Sequence, residues 1–317
     1  MARGPLSTRH SKFQPLGFRT ATRFNIPMSC VYKIKVYSKM DTRFWGPSGW
    51  RLLHMISFAA PTLSQKEVHT FFQQLPYVLP CKFCRASLTD YYTADPIPTK
   101  GDDYAPWLFR IHNRVNGKLR DQQLLESKDP RWPEVKKHYE TTLKTPCSKQ
   151  RMVGWDFLYS TAYTTPCPSV ASSPMPGAPP LSVLTTPELR NRWGLMTREE
   201  RLPLCRTWWG LLPKVLPMPE WRQAWKKVVP DLPSLEKGRR AVTGWLYAAE
   251  RAVCQALREQ IPHDSFTGLC TELNTFSSGC GKNTSTKVKT CRSKKSVARD
   301  TLKKKRSQTY KAIGGYL

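Results

Sequence analysis

A chain of 317 residues with a formal net charge of +28 is long enough for two domains and far more basic than most soluble enzymes. That charge predicts an acidic partner, whether nucleic acid, an anionic membrane surface or an acidic protein, and says nothing about fold. No apolar run is long enough to span a bilayer as a helix, and no secretory leader is visible, so a transmembrane segment is not expected.

The first forty residues carry Arg3, Arg9, Lys12, Arg19, Arg23, Lys33, Lys35 and Lys39 without an acid, and read as a basic extension over 1-40. From Thr42 the pattern turns helical. Pro47 suits the first turn of a helix ending near Ala60, with Trp50, Leu53 and Ile56 on one side. Ser64 and Glu67 form a capping-box pattern that opens a second helix through Val68, Phe71, Phe72 and Leu75. Pro80 precedes a third helix, ending near Tyr92. Pro106 opens a fourth over Trp107 to Leu119, and a short fifth falls around Pro133 to Tyr139. No strand alternation is present, so the fold class is all-α: a four-helix bundle plus a short fifth helix over 41-144.

Residues 145-186 are rich in Pro, Ser and Thr and read as a linker. Helical patterning returns over 187-262. The rest, 263-317, contains Lys303-Lys304-Lys305-Arg306 and reads as a basic disordered tail.

The second helical region echoes the first. Thr70 to Pro80 aligns with Thr207 to Pro217, and Arg85 with Arg222. Trp107-Leu108-Phe109 aligns with Trp245-Leu246-Tyr247, and Val115 with Val253. This predicts a duplication. Met218 and Trp221 stand opposite Cys81 and Cys84, and Glu250 and Cys254 opposite His112 and Asn116. The second copy therefore keeps the apolar frame and lacks the polar chemistry.

Of ten cysteines, only Cys81 and Cys84 form a CxxC. A lone pair of this spacing suits redox chemistry better than zinc, which needs four ligands, so no metal is expected. At a helix start, the unpaired N–H groups and the helix dipole favour a thiolate. A thioredoxin-like setting would need βαβ units, which are missing. Around the pair stand Trp50 and His54 one turn apart, and His112 and Asn116 one turn apart. Aromatic rings with His and Asn on neighbouring helices suit a flat, polar-edged ring system.

The ordered motifs W-G-x-x-x-W-x-x-x-H (Trp45 to His54), CxxC (Cys81 to Cys84) and H-N-x-V-N-x-K-L (His112 to Leu119) resemble the Erv/ALR family of FAD-dependent thiol oxidases, in a form closest to members from large DNA viruses. The resemblance covers residues 43-139. It implies an FAD cofactor, with disulfides formed in a thiol-containing or thioredoxin-like protein substrate and electrons passed to O2 to give H2O2. It implies that Cys84 lies next to the flavin and that Cys81 is attacked by substrate. It also implies that Gly46, Trp50, His54, His112, Asn113, Val115, Asn116 and Lys118 contact FAD, with Trp132 a weaker match near the adenine. Family members are usually homodimers; here either a homodimer or an intramolecular pseudo-dimer with the degenerate copy follows. Viral kinship implies the cytoplasm of an infected cell or the virion, the alternative being the mitochondrial intermembrane space.

The chain departs from the family in three places. It lacks the structural cysteine pair after Lys118-Leu119, it has Ser87 where a histidine is frequent, and it has no second, shuttle CxxC. Cys30, Cys270, Cys280 and Cys291 are the shuttle candidates. The rival reading is a basic scaffold or nucleic-acid-binding virion protein with a silent oxidase fold.

Overall fold

The computed structural model describes residues 40–165 and 174–277. The basic extension, the cysteines Cys30, Cys280 and Cys291, and the lysine run of the tail lie outside them. Among the described residues no strand forms beyond an isolated bridge between Met40 and Ser277, and the class is all-α.

Five helices make the amino-terminal bundle: α1 (Thr42–Ala59), α2 (Gln65–Val78), α3 (Lys82–Ala94), α4 (Tyr104–Asp121) and α5 (Trp132–Lys144). Asp41 caps α1 by accepting from the Arg43 amide, so the helix starts a turn earlier than Pro47 suggests, and Pro47 lies inside it. Ser64 caps α2 as its pattern predicts, accepting from the Glu67 amide.

Six helices follow: α6 (Trp155–Tyr163), α7 (Pro187–Arg192), α8 (Arg198–Val215), α9 (Pro219–Val228), α10 (Arg239–Leu257) and α11 (Phe266–Phe276). Two expectations are corrected here. The stretch 145-186 is not linker throughout, because it holds α6, whose Phe157 and Leu158 are fully buried. The tail reading fails at α11, which buries Leu269 and Leu273 one turn apart behind a Ser265 cap.

With α6 and α11 included, the carboxy-terminal bundle repeats the contacts of the first. Arg85 donates to the Leu79 carbonyl at 2.8 Å, and Arg222 to the Leu216 carbonyl at 2.6 Å. Trp107 Nε1 donates to the Asp95 carbonyl and Trp245 Nε1 to the Pro230 carbonyl, both at 3.0 Å. His54 meets His112 between α1 and α4, while Tyr159 meets Glu250 between α6 and α10. Phe109 packs on Trp132, and Tyr247 on Phe266.

The contacts between the bundles are reciprocal. α2 packs on α8 and α1 on α6. Phe71 and Trp208, at aligned positions, stack at 5.2 Å with both rings fully buried. A Cβ on Gly49 would meet Phe157, and one on Gly154 would meet Leu52. When residue i of one half touches j of the other, and j's counterpart touches i's, the interface has two-fold character. One continuous apolar core runs through both bundles. Each large apolar side chain fully buried there contributes about 1.5–3 kcal/mol.

α7 has no counterpart in the first bundle and packs against α3. Its buried Asn191 donates to the Pro76 carbonyl and to Thr89 Oγ1, both at 3.1 Å. Arg201 at the start of α8 donates to the Tyr77 carbonyl at 2.9 Å. These bonds satisfy backbone groups at the α2–α3 corner, just before the CxxC.

Candidate active site

Cys81 is the N-cap of α3, in extended backbone conformation, and Cys84 lies in the first turn. The sulfur of Cys84 therefore sits at the positive end of the helix dipole. Cys84 is half-buried and lines a cavity between α1, α3 and α4; Cys81 is 4 % exposed and is absent from the cavity wall.

Aromatic rings form much of that wall: Trp45 and Trp50 from α1, and Phe83, Tyr91 and Tyr92 from α3. Gly46, Gly49 and Val115 also line it. The polar edge is Ser87, Lys118 and Gln122. Lys118 Nζ donates to Ser87 Oγ at 2.6 Å, so the serine that replaces the family's frequent histidine holds this lysine.

Beside the cavity, Trp50 stacks on His112 with ring centroids 3.8 Å apart. His54 Nε2 lies 3.0 Å from His112 Nδ1, and the His54 ring stacks on Tyr139 of α5. Burial pushes His54 down to about 3 and His112 well below the usual imidazole range, so both rings are neutral at physiological pH. One ring must donate and the other accept, which fixes complementary tautomers.

Asn116, one turn beyond His112, donates to Asp129 Oδ1 at 2.7 Å, and Arg120 grips the same carboxylate at 2.6 and 3.0 Å. Asn116 Oδ1 is buried without a hydrogen-bond partner. Asn113 is half-buried on α4. Trp132 begins α5 and packs on Phe58 and Phe109.

The expected residues thus fall into two groups. Gly46, Trp50, Cys84, Val115 and Lys118 share the cavity wall; His54, His112, Asn116 and Trp132 lie along α1, α4 and α5 beside it. Gly49, Phe83, Ser87 and Tyr91 belong to the wall too, and went unread as site residues. So did Phe157 of α6, a wall residue contributed by the carboxy-terminal bundle. Its signal was the Trp155-x-x-x-Tyr159 spacing, which repeats Trp50-x-x-x-His54.

A CxxC with Cys84 in the wall of an aromatic slot, with a lysine and an orphaned amide oxygen nearby, fits a planar redox ring with a polar edge and defines a flavin-linked thiol oxidase. The Erv1/Alr family profile matches residues 47–140. An FAD-linked sulfhydryl oxidase of African swine fever virus (isolate Tick/Malawi/Lil 20-1/1983) is 33% identical over 104 residues, 31% of this chain and 82% of the relative. A probable FAD-linked sulfhydryl oxidase of Acanthamoeba polyphaga mimivirus is 30% identical over 127 residues, 38% of this chain and 83% of the relative. The mitochondrial FAD-linked sulfhydryl oxidase of Saccharomyces cerevisiae is 31% identical over 94 residues, 27% and 50% of the two chains. No solved structure matches the chain. The chain belongs to the Erv1/Alr family, and FAD is its cofactor.

Proposed function

We propose that the Cys81–Cys84 pair forms disulfides in protein substrates, with dioxygen as the final acceptor and hydrogen peroxide as the product. The observation that carries this reading is the placement of Cys84 in the wall of the aromatic cavity with Cys81 outside it. A substrate thiolate attacks Cys81 Sγ of the oxidised pair, the Cys81–Cys84 bond breaks, and Cys84 leaves as thiolate. The second substrate thiolate attacks its partner sulfur in the mixed disulfide, releasing oxidised substrate and reduced Cys81. Bound FAD supplies the two-electron acceptor that regenerates the disulfide and the route of those electrons to dioxygen. Two electrons and two protons then end on one dioxygen molecule.

The protein's part is positional. Trp50, Gly46, Val115 and Lys118 would hold the ring of the cofactor in the cavity that Cys84 lines. His54, His112, Asn113, Asn116 and Trp132 would hold the rest of the cofactor. Cys81 is buried, so a substrate reaches it only when the 79–82 segment shifts.

The carboxy-terminal bundle is a degenerate copy that occupies the place of a partner subunit and lends Phe157 to the cavity. Cys270, half-buried on α11, is the one shuttle candidate among the described residues. No helix among the described residues is long and apolar enough to cross a membrane. The viral matches favour the cytoplasm of an infected cell or the virion over the mitochondrial intermembrane space.

The test is an absorption spectrum and an oxygen-electrode trace with dithiothreitol, wild type beside Cys84→Ser. Flavin bands in both, with oxygen uptake in the wild type alone, are expected. Equal uptake in both would remove Cys84 from the reaction.

A further inference from the structure

The carboxy-terminal bundle contributes to a second cavity of its own. Trp221 is fully buried at the position aligned with Cys84, and in the same bundle Trp245 packs on Trp209 and on Trp225. Between the start of α6, α10 and the outer side of α1 lies a cavity of about 470 Å³ with a wall of mixed polarity, a size typical of small-molecule sites.

Its inner wall holds Glu250, which is fully buried. Glu250 Oε2 accepts from the Tyr159 hydroxyl at 2.6 Å and lies 3.1 Å from His263 Nδ1. Among the described residues Oε1 has no hydrogen-bond partner. A buried carboxylate oxygen with no donor is costly, on the order of 1–3 kcal/mol or more, and is therefore rare without a ligand or water to satisfy it. Trp155 Nε1, from another wall residue, is likewise buried without an acceptor.

Charge is divided across the cavity. Arg51 and Arg151 are exposed wall residues, and neither reaches a carboxylate within ion-pair distance among the described residues. Arg151 donates only to Gln260, at 2.7 Å. The remaining titratable neighbours are accounted for. Glu259 accepts from the Met152 amide. Burial pushes Asp156 up to about 6, and burial pushes the Cys254 thiol up to about 12, leaving it neutral. His263 also contacts Glu272.

We propose that this cavity is a second ligand site, for a flat N–H donor that carries an anionic group: the chemistry of a purine nucleotide. The exocyclic amine donates to Glu250 Oε1, the ring lies among Trp155, Phe44 and Pro47, and the phosphates meet Arg51 and Arg151. The site is separate from the flavin cavity and shares none of its wall residues.

The experiment titrates ADP into the flavin-loaded full chain by calorimetry. The wild type is compared with Arg51→Ala/Arg151→Ala, whose side chains are exposed and safe for folding, and with Glu250→Gln. Flavin absorbance is followed throughout. The expected result is one ADP bound per chain, at least about tenfold weaker in the double variant, a single charge-assisted contact being enough for that change. The flavin spectrum stays constant. No binding at millimolar ADP, equal affinity in wild type and double variant, or binding that releases flavin overturns the proposal. Flavin content and thiol oxidation are read in the same samples, so failure of this site is distinguishable from failure of the oxidase reading.

Discussion

The two bundles use one frame for opposite ends. In the first, α3 presents Cys84 to a cavity, and the α1–α4 contact is a pair of neutral imidazoles. In the second, the residue aligned with Cys84 is a buried tryptophan, and the equivalent contact is a tyrosine on a buried carboxylate. What both keep is structural: the arginine that ties down the corner carbonyl, and the tryptophan indole bonded to the loop before its helix. The frame is therefore specified by caps and apolar positions, and the chemistry by a few polar positions that exchange without disturbing it.

Removing the sulfur that lines the cavity tests this division most severely. Cys84→Ser is expected to lower dithiothreitol-dependent oxygen uptake by 1000-fold or more, to the background of about the uncatalysed exchange, while flavin content and melting temperature stay near wild type. Loss of flavin along with activity would show that the cysteine also holds the frame.

The reciprocal glycines come next. Gly154 has φ of 101°, and a Cβ there would lie 2.6 Å from the Leu52 side chain. Gly49 needs no positive φ and its Cβ would stand 3.1 Å from Phe157. Gly154→Ala is expected to cost about 2–4 kcal/mol, from left-handed strain plus overpacking. Gly49→Ala is expected to cost about 1 kcal/mol. Urea midpoints at constant m-value measure both, and equal costs would mean that the left-handed backbone and closer contact at Gly154 add no strain.

Acidification should separate the bundles. His54, pushed down to about 3, and His112, also lowered, bind fewer protons folded than unfolded. Their contribution is complete above the unfolded value of about 6.5 and is lost as pH falls, by at most about 1.4 kcal/mol per histidine per pH unit. Asp156 and His263 are both raised, the first to about 6 by burial and the second by its bond to Glu250. Folding then favours their protonated forms. Asp156 is most favourable below its unfolded value and loses that advantage as pH rises through about 6; His263 loses its own as pH rises above its raised value. Hydrogen exchange at pH 5.5 and 7.5, corrected for intrinsic rates, should show α1 and α4 loosening in acid, with α6, α10 and α11 unchanged or tighter. Parallel loosening of all five would contradict the assignment.

The smallest effect belongs to the Lys214–Glu67 pair, 2.9 Å apart across the interface but half exposed at the lysine. Lys214→Ala should shift stability by no more than about 0.5 kcal/mol, because solvent screens such pairs.

Most of the first bundle was legible because its helices are amphipathic. Phe71, Phe72 and Leu75 recur at helical spacing behind a Ser64 cap, and the motif residues around Cys84 carry their order in the sequence. Helix α6 was hidden for a physical reason. Every residue from Phe157 to Tyr163 is buried, so the helix has no polar face and shows no 3.6-residue period. The Pro- and Thr-rich residues after it then dominated the composition. Helix α11 did carry a signal, Ser265 ahead of Phe266, Leu269 and Leu273, but its threonines and asparagine resembled the tail. The Trp155-x-x-x-Tyr159 spacing marks α6 as a repeat of α1, but that Phe157 reaches the cavity wall depends on a tertiary contact between the bundles.

The reciprocal packing of Gly49 on Phe157 and Gly154 on Leu52 has a consequence for how such an enzyme tolerates dilution and change. In a two-chain assembly, stability depends on protomer concentration, and each substitution strikes both sides of the axis. With both halves on one chain, the wall supplied by Phe157 is present at any dilution. A substitution then alters one side alone, so one half can carry Trp221 and Glu250 where the other carries Cys84 and His112.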